Sequence, residues 1–210
     1  MTNRRTPQIA SRKQPQQARS TELVAAILEA AIQVLTKEGA QRFTTARVAE
    51  KAGVSVGSVY QYFPNKAAIL FRLQSDEWQR TTEMLLGILQ EMHKPPLERL
   101  RGLVHAFIRS ECDEAEMRTA LSDAAPLYRD APESQEAREA FEAIFLAFMQ
   151  EVLPDASDEV RNMAGNMITM TFSSGGKEFS QTPRTPSEIS AYADAMADMF
   201  SAYLKELAGR

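Results

Sequence analysis

Residues 52–70 read AGVSVGSVYQYFPNKAAIL. This short stretch crowds three aromatic residues, two glycines and one lysine between apolar runs, and its punctuation predicts the local structure. Upstream, in TTARVAEKAG, Thr44 or Thr45 caps the first free N–H groups of a two-turn helix. Val48, Ala49 and Ala52 give that helix a narrow apolar face, and Gly53 permits a tight reversal after it. Ser55 offers a second cap, so VGSVYQY starts another short helix. Phe63-Pro64 ends it, because proline disfavours helical geometry in the residue before it. Asn65 caps a third start. Two short capped helices joined by a glycine-containing turn form a helix-turn-helix pattern, whose second helix enters the major groove of DNA with its N-terminal residues nearest the bases.

That geometry assigns the composition. Gly57 and Ser58 keep the leading face slim enough for the backbone to approach DNA, while Val59 and Phe63 turn inward as anchors. Tyr60 and Tyr62 each pair an apolar ring with a hydroxyl able to reach a phosphate. Lys66, at the start of the following helix, combines its charge with free N–H groups to bind another.

Working outward, the periodicity is helical almost throughout. Leu23, Ala26, Ile27, Ala30, Ala31, Val34 and Leu35 mark a helix over 21–38, with Gly39 as the left-handed residue that closes it. From Lys66 the pattern runs to about His93, where Lys94-Pro95-Pro96 stops it. Further helices are expected at 96–112, 114–128, 133–153, 157–181 and 186–208, joined by Pro-, Asp- and Ser-rich connections. No stretch alternates as a strand does, and no repeat is visible. The fold class is all-α with about nine helices.

Charge divides the chain. Residues 1–72 carry 11 Lys/Arg against 4 Glu, and the remainder 13 against 24, so the net charge of −4 conceals a basic head on an acidic body. A basic head points to a polyanionic partner. Residues 1–20 hold Arg4, Arg5, Arg12, Lys13 and Arg19 without an acid, and lack the apolar surface to offset ordering entropy. They read as a disordered basic arm that either tracks the duplex or stays solvated.

The 210 residues contain one cysteine, Cys112, and two histidines, His93 and His105. A disulfide within the chain is excluded, and a structural zinc site has too few ligands. No phosphate-binding glycine loop, metal cluster or nucleophile–base pair is visible, so neither enzyme activity nor a cofactor is expected. No apolar run spans a bilayer, and the basic, polar amino terminus has no apolar core of a secretory signal. A cytoplasmic location is the default.

Residues 27–70, ILEAAIQVLTKEGAQRFTTARVAEKAGVSVGSVYQYFPNKAAIL, resemble the DNA-binding domain of tetracycline-repressor-type (TetR family) regulators. The resemblance rests on ILEAA, the closing EG, the TT pair, the VAEKAGVS turn, the G-S-V-Y-x-Y-F recognition helix and the NK start of the next. It implies an arm over 1–20, a DNA-binding domain over 21–66, and over 67–210 a helical domain that dimerises and holds a small-molecule pocket. By resemblance, Thr45, Ser55, Tyr60, Tyr62 and Lys66 contact phosphates, and Val56, Gly57, Ser58 and Gln61 face base edges. Arg47 also reaches a base or phosphate. Two positions depart from the family: Ala67 stands where an acid is common, and Val56 replaces a polar or basic residue, so thymine-methyl contact takes the place of hydrogen bonding there.

The dimer surface should lie in the last two helices. Over 157–181 one face carries Val160, Met163, Ala164, Met167 and Thr171, and the other Gly165, Thr169, Phe172, Gly176 and Phe179. A helix apolar on both sides is buried on both. With the stripe of Ile189, Tyr192, Met196, Met199, Phe200, Tyr203 and Leu207, these helices are expected to form a four-helix bundle with the partner copy. Gly165, Ser173 and Gly176 allow its close approach; the alternative is that both stripes complete a monomeric core. Candidate pocket walls are Trp78, Met84, Ile108, Phe141, Phe145, Phe148, Met163, Met167 and Met170, since methionine re-packs readily around varied ligands. His105, Arg109, Glu111 and Asn166 offer polar groups to orient one. The function implied is a ligand-responsive regulator of DNA, a repressor by family default, released from a palindromic operator by a small apolar effector. Its partners are operator DNA, a second copy of the chain and that effector, with no membrane. The alternative is a helical ligand-binding or adaptor protein whose basic head binds a protein or non-specific nucleic acid.

Overall fold

Capping residues set the helix starts in the structure, a computed structural model that describes residues 18–127 and 144–209. Helix α1 (Ala18–Arg42) is interrupted at Gly39, whose φ of 76° and ψ of 167° form an extended conformation of positive φ, open only to glycine. The expected closing residue is therefore correct in position but not left-handed helical, and one further turn follows it. The α2 helix (Thr45–Lys51) is capped by Thr44, whose hydroxyl accepts from Arg47 N at 3.3 Å. Gly53, at φ 68°, reverses the chain. Helix α3 (Val56–Tyr62) is capped by Ser55, which accepts from Ser58 N at 3.0 Å. Helix α4 (Lys66–Leu89) starts where Ala68 N donates to Asn65 Oδ1 at 3.0 Å. Then come α5 (Pro96–Asp113), α6 (Ala115–Ala124) with a 3₁₀ turn at Ala125–Leu127, α7 (144–152), α8 (Asp158–Phe179) and α9 (Pro186–Ala208). All regular structure among the described residues is helical, as the sequence predicts. Residues 1–17 of the arm, 128 of the sixth helix and 133–143 of the seventh lie outside them.

The described residues divide into two compact units. The first comprises 18–78 and 116–127. Ile27, Ala31 and Leu35 of α1, Val48 of α2, Val59 of α3, and Ile69 and Leu70 of α4 fill its core, with Phe43 and Phe63 from the connections. Leu121 and Ala124 of α6 belong to the same core. Each such large apolar side chain contributes about 1.5–3 kcal/mol by leaving water. The boundary expected at residue 66 thus falls inside this unit. Glu77, 2 % exposed, is paired with Arg118 of α6 at 2.8 Å, because a buried carboxylate left alone would be costly.

The second unit holds 79–115 and 144–209, with α5 packed on α8 and α9. Phe107 and Phe172 lie 4.0 Å apart between ring centroids. A Cβ at Gly176 would fall 2.7 Å from Phe107 Cε1, so the close approach of α8 to α5 requires glycine. The α9 helix begins with a reciprocal capping box between Thr185 and Glu188. The backbone N–H of Thr185 holds the exposed Glu188 carboxyl below the usual carboxylate range.

Arg99 explains why α4 stops at Leu89, short of the expected His93. This guanidinium, 2 % exposed, donates to Leu89 O at 2.5 Å and Lys94 O at 3.2 Å, pairs with Glu151 of α7 and stacks 5.7 Å from the Phe148 centroid. A carbonyl at a helix end has no intrahelical donor. Arg99 supplies one from ten residues away.

Candidate nucleic-acid interface

The first unit presents α3 as an anchored helix with a free outer face. Val59 (0 % exposed) and Phe63 (1 %) fix it to the core. Val56, Gly57, Tyr60 and Gln61 are exposed and Ser58 is half-buried on the opposite side. Gly57 has an ordinary helical φ, and a Cβ added there would meet only Ser55 Oγ, at 3.6 Å. Nothing within the fold therefore demands glycine at this position.

Polar groups around this face are already engaged. Ser55 Oγ and Ser58 Oγ share a hydrogen bond of 2.8 Å. Lys66 Nζ donates to the Phe43 carbonyl at 3.5 Å, which places the ammonium beside the start of α2. Arg47, exposed on the first turn of α2, is ion-paired with Glu38 of α1. Thr45 (8 % exposed) and Tyr62 (6 %) lie mainly in the core, so a phosphate contact from either rests on its hydroxyl alone. Glu38 belongs to the closing EG of the resemblance, but its pairing with Arg47 depends on the reversal at Gly39 and is not visible in the sequence.

The residues proposed for a ligand pocket are not all brought together. Ile108, Phe145 and Phe148 are buried core residues, and Trp78 is half-buried. Met163, Asn166, Met167 and Met170 are exposed on α8, and Phe141 lies outside the described residues. Of the candidates expected from the sequence, Met84, His105 and Arg109 line a cavity in the second unit. That cavity is an open cleft of about 490 Å³ bounded by Met84, His105, Ala106, Arg109, Ser110, Asp113 and Glu114. His105, Arg109 and Asp113 recur at four-residue steps on one face of α5, a spacing visible in the sequence. His105 Nε2 lies 3.1 Å from Asp194 Oδ1, and Arg101 pairs with Asp194 and Asp198, which ties this side of α5 to α9. Burial pushes the Cys112 thiol up, away from thiolate chemistry.

The two faces of α8 are placed opposite to expectation. Gly165, Phe172 and Gly176, expected at a dimer interface, face inward against Phe145 and Met149, Phe107 and Phe200, and Phe107, Glu111 and Ile108 respectively. Met196 of α9 is buried too, and Tyr192 stacks on Phe179 at 4.0 Å while its hydroxyl donates to Gly175 O. Tyr203 is half-buried and packs against the same core. The exposed apolar face consists instead of Val160, Met163, Met167 and Met170 on α8, with Met199 on α9. Ser173 is exposed as well. Packing chose the face bearing glycines and phenylalanine for the inside because small and large groups interdigitate more densely than a row of methionines.

Among the described residues, no three His, Cys, Asp or Glu side chains are grouped to hold a metal ion, and no helix is long and apolar enough to cross a membrane.

Residues 27–73 match the family described as bacterial regulatory proteins, tetR family, and residues 95–207 match the tetracyclin repressor-like C-terminal domain. Nucleoid occlusion factor SlmA of Vibrio campbellii is 36 % identical over 83 residues, which cover 39 % of this chain and 42 % of that protein. The chain thus spans less than half the length of that relative. Among solved structures, a putative TetR-family transcriptional regulator from Mesorhizobium loti aligns with a TM-score of 0.68 at 19 % identity, covering 89 % of this chain and 98 % of the other. NalD, the secondary repressor of the MexAB-OprM multidrug efflux pump in Pseudomonas aeruginosa, aligns with a TM-score of 0.61 at 20 % identity, covering 89 % and 97 %. At these identities the structural likeness is one of fold.

Proposed function

This chain belongs to the TetR family of bacterial regulatory proteins, and from that premise we propose that it is a dimeric transcriptional repressor whose α3 reads a two-fold operator and whose second unit senses a small effector. The observation that carries the reading is the exposed face of α3, slimmed by a glycine that the fold does not require. Val56 on that face suits a thymine methyl, Gln61 suits a base edge, and Tyr60 and Lys66 suit phosphates.

A single seven-residue helix contacts few bases, so useful specificity calls for two copies on one axis. Val160, Met163, Met167 and Met170 supply an apolar face for that pairing in place of the inward residues first expected. Met167→Glu is expected to raise the dimer dissociation constant about 100-fold or more, since a carboxylate would lose its water without gaining a partner. Sedimentation over a concentration series checks this. An unchanged dimer would move the interface elsewhere.

The effector would lay an apolar body on Met84 and Ala106 and turn polar groups toward His105, Arg109 and Asp113. Helix α4 contributes to both units, and at 1.5 Å per residue it is about 36 Å long. An effector that prefers one disposition of α4 would lower operator affinity by the coupling free energy, typically about 1–3 kcal/mol.

Selection of purified protein on a randomised duplex library, followed by a salt titration on the winner, tests the whole reading. Enrichment of an inverted repeat, with affinity falling steeply with salt, is the expected result. Weak salt-sensitive binding with no enriched sequence would sink it and favour an adaptor role for the basic head.

A further inference from the structure

We propose that Glu38 is a restraint on DNA affinity, which holds Arg47 back from phosphates and so lowers the affinity for duplex of any sequence. The inference rests on the DNA-binding reading above and concerns α2 and the end of α1 instead of α3.

Arg47 occupies the third position of α2. Its neighbours make this an unfavourable place for a cation. The free N–H groups of a helix start carry partial positive charge and favour acids, yet the first turn of α2 contains no acid. A cation placed against local electrostatics marks a position chosen for something other than folding. Arg47 is not used to hold the core, being 45 % exposed in its side chain.

Glu38 answers the charge from another helix. It is the last residue before Gly39, and the positive-φ extended conformation there turns the chain back so that Phe43 is buried and Thr44 caps α2. Glu38 and Arg47 meet across this reversal. The carboxylate is 32 % exposed, so the pair is wet and readily exchanged. Lys66, by contrast, is held by the uncharged Phe43 carbonyl, which does not compete with a phosphate for a cation as a carboxylate does.

The consequence follows from competition. For Arg47 to neutralise a phosphate it must leave Glu38, and Glu38 must then sit beside the polyanion. Every phosphate on every sequence meets this penalty. Because the penalty is common to all sequences, it lowers specific and non-specific affinity together, and base contacts by α3 decide which duplexes stay bound in spite of it.

Glu38→Gln keeps the size and exposure of the side chain and removes its charge. Affinity is read by fluorescence anisotropy on the selected duplex and on a scrambled duplex of equal length, between about 50 and 200 mM salt. On the scrambled duplex the expected gain is roughly two- to five-fold, the range of one exposed ion pair. The salt slope there should steepen by about 0.9, as for one more phosphate neutralised. The selected duplex should gain by the same factor, which leaves the specific-to-non-specific ratio unchanged. In an Arg47→Gln background the same Glu38 change should have no effect on the slope. Equal gains in both backgrounds would show Glu38 acting as a diffuse charge and overturn the assignment, as would an unchanged scrambled-duplex affinity. If the wild-type protein fails to bind any duplex in a salt-dependent way, the DNA-binding reading itself falls, an outcome distinct from either.

Discussion

Gly57→Leu is expected to weaken binding to the selected duplex by about 100-fold or more while leaving the melting temperature unchanged or slightly raised. The fold tolerates a side chain here, because an added Cβ meets only Ser55 Oγ at 3.6 Å and the residue faces solvent. Glycine within a helix is less stable than an ordinary residue by up to about 1 kcal/mol, so the substitution favours the free protein. In the groove the branched side chain would hold the α3 backbone away from the base edges. Each good base contact supplies about 1–3 kcal/mol of discrimination, and the loss of two accounts for the expected factor. Thermal unfolding by circular dichroism and anisotropy on the same preparation separate the two effects. Retained affinity would remove α3 as the reading element, and a lowered melting temperature would make Gly57 a structural residue.

Arg99→Ala should destabilise the protein by about 1–3 kcal/mol, the usual cost of leaving a buried acceptor such as the Leu89 carbonyl without its donor, since Glu151 is exposed and can be solvated. The guanidinium joins four separate places: the end of α4 at Leu89, the connection at Lys94, Glu151 of α7 and the face of Phe148. Truncation leaves the Leu89 carbonyl without its donor and Glu151 without its cation. Arg99→Lys should recover only a minor part, since one ammonium cannot reproduce the planar fork that serves divergent acceptors. Urea denaturation at one fixed protein concentration measures both, since any self-association would make apparent stability depend on concentration. A loss below about 1 kcal/mol for alanine would mean that water replaces the guanidinium without strain, and that the cluster is not a clamp.

Local chemistry was legible where it acts over a few residues. Thr44, Ser55 and Asn65 mark three helix starts in the sequence and each accepts the expected backbone N–H. Gly53 is recognisable as a turn residue and has the positive φ that only glycine adopts readily. The slim face of α3 follows from the same reading, since burial of Val59 and Phe63 leaves Val56, Gly57 and Tyr60 outside.

What depends on partners distant in sequence was not legible. Apolar periodicity continues past Leu89, and nothing local reveals that Arg99 ends α4 there. The sequence of α8 is apolar on two sides, but periodicity has no term for which side fits Phe107 and Phe145. The pocket candidates are scattered between core, surface and cavity for the same reason: phenylalanines and methionines are chosen alike for all three, and spacing alone does not divide them. Glu38 was missed because the reversal that brings it to Arg47 is a property of the folded backbone.

The membership of α6 in the first unit has a consequence for synthesis. Leu121 and Ala124 share a core with Ile27 and Leu35, and Arg118 neutralises a carboxylate that α4 buries at Glu77. Chain emerging from a ribosome at about 5–20 residues per second therefore exposes the helix-turn-helix for several seconds before its last wall arrives. During that interval one side of α4 presents bare apolar surface, and Glu77 has yet to meet Arg118. The nascent chain is most vulnerable to misassociation or proteolysis between the completion of α4 and the delivery of α6. A fragment cut after α4 would retain all of α1 to α3 yet inherit that same incomplete core permanently.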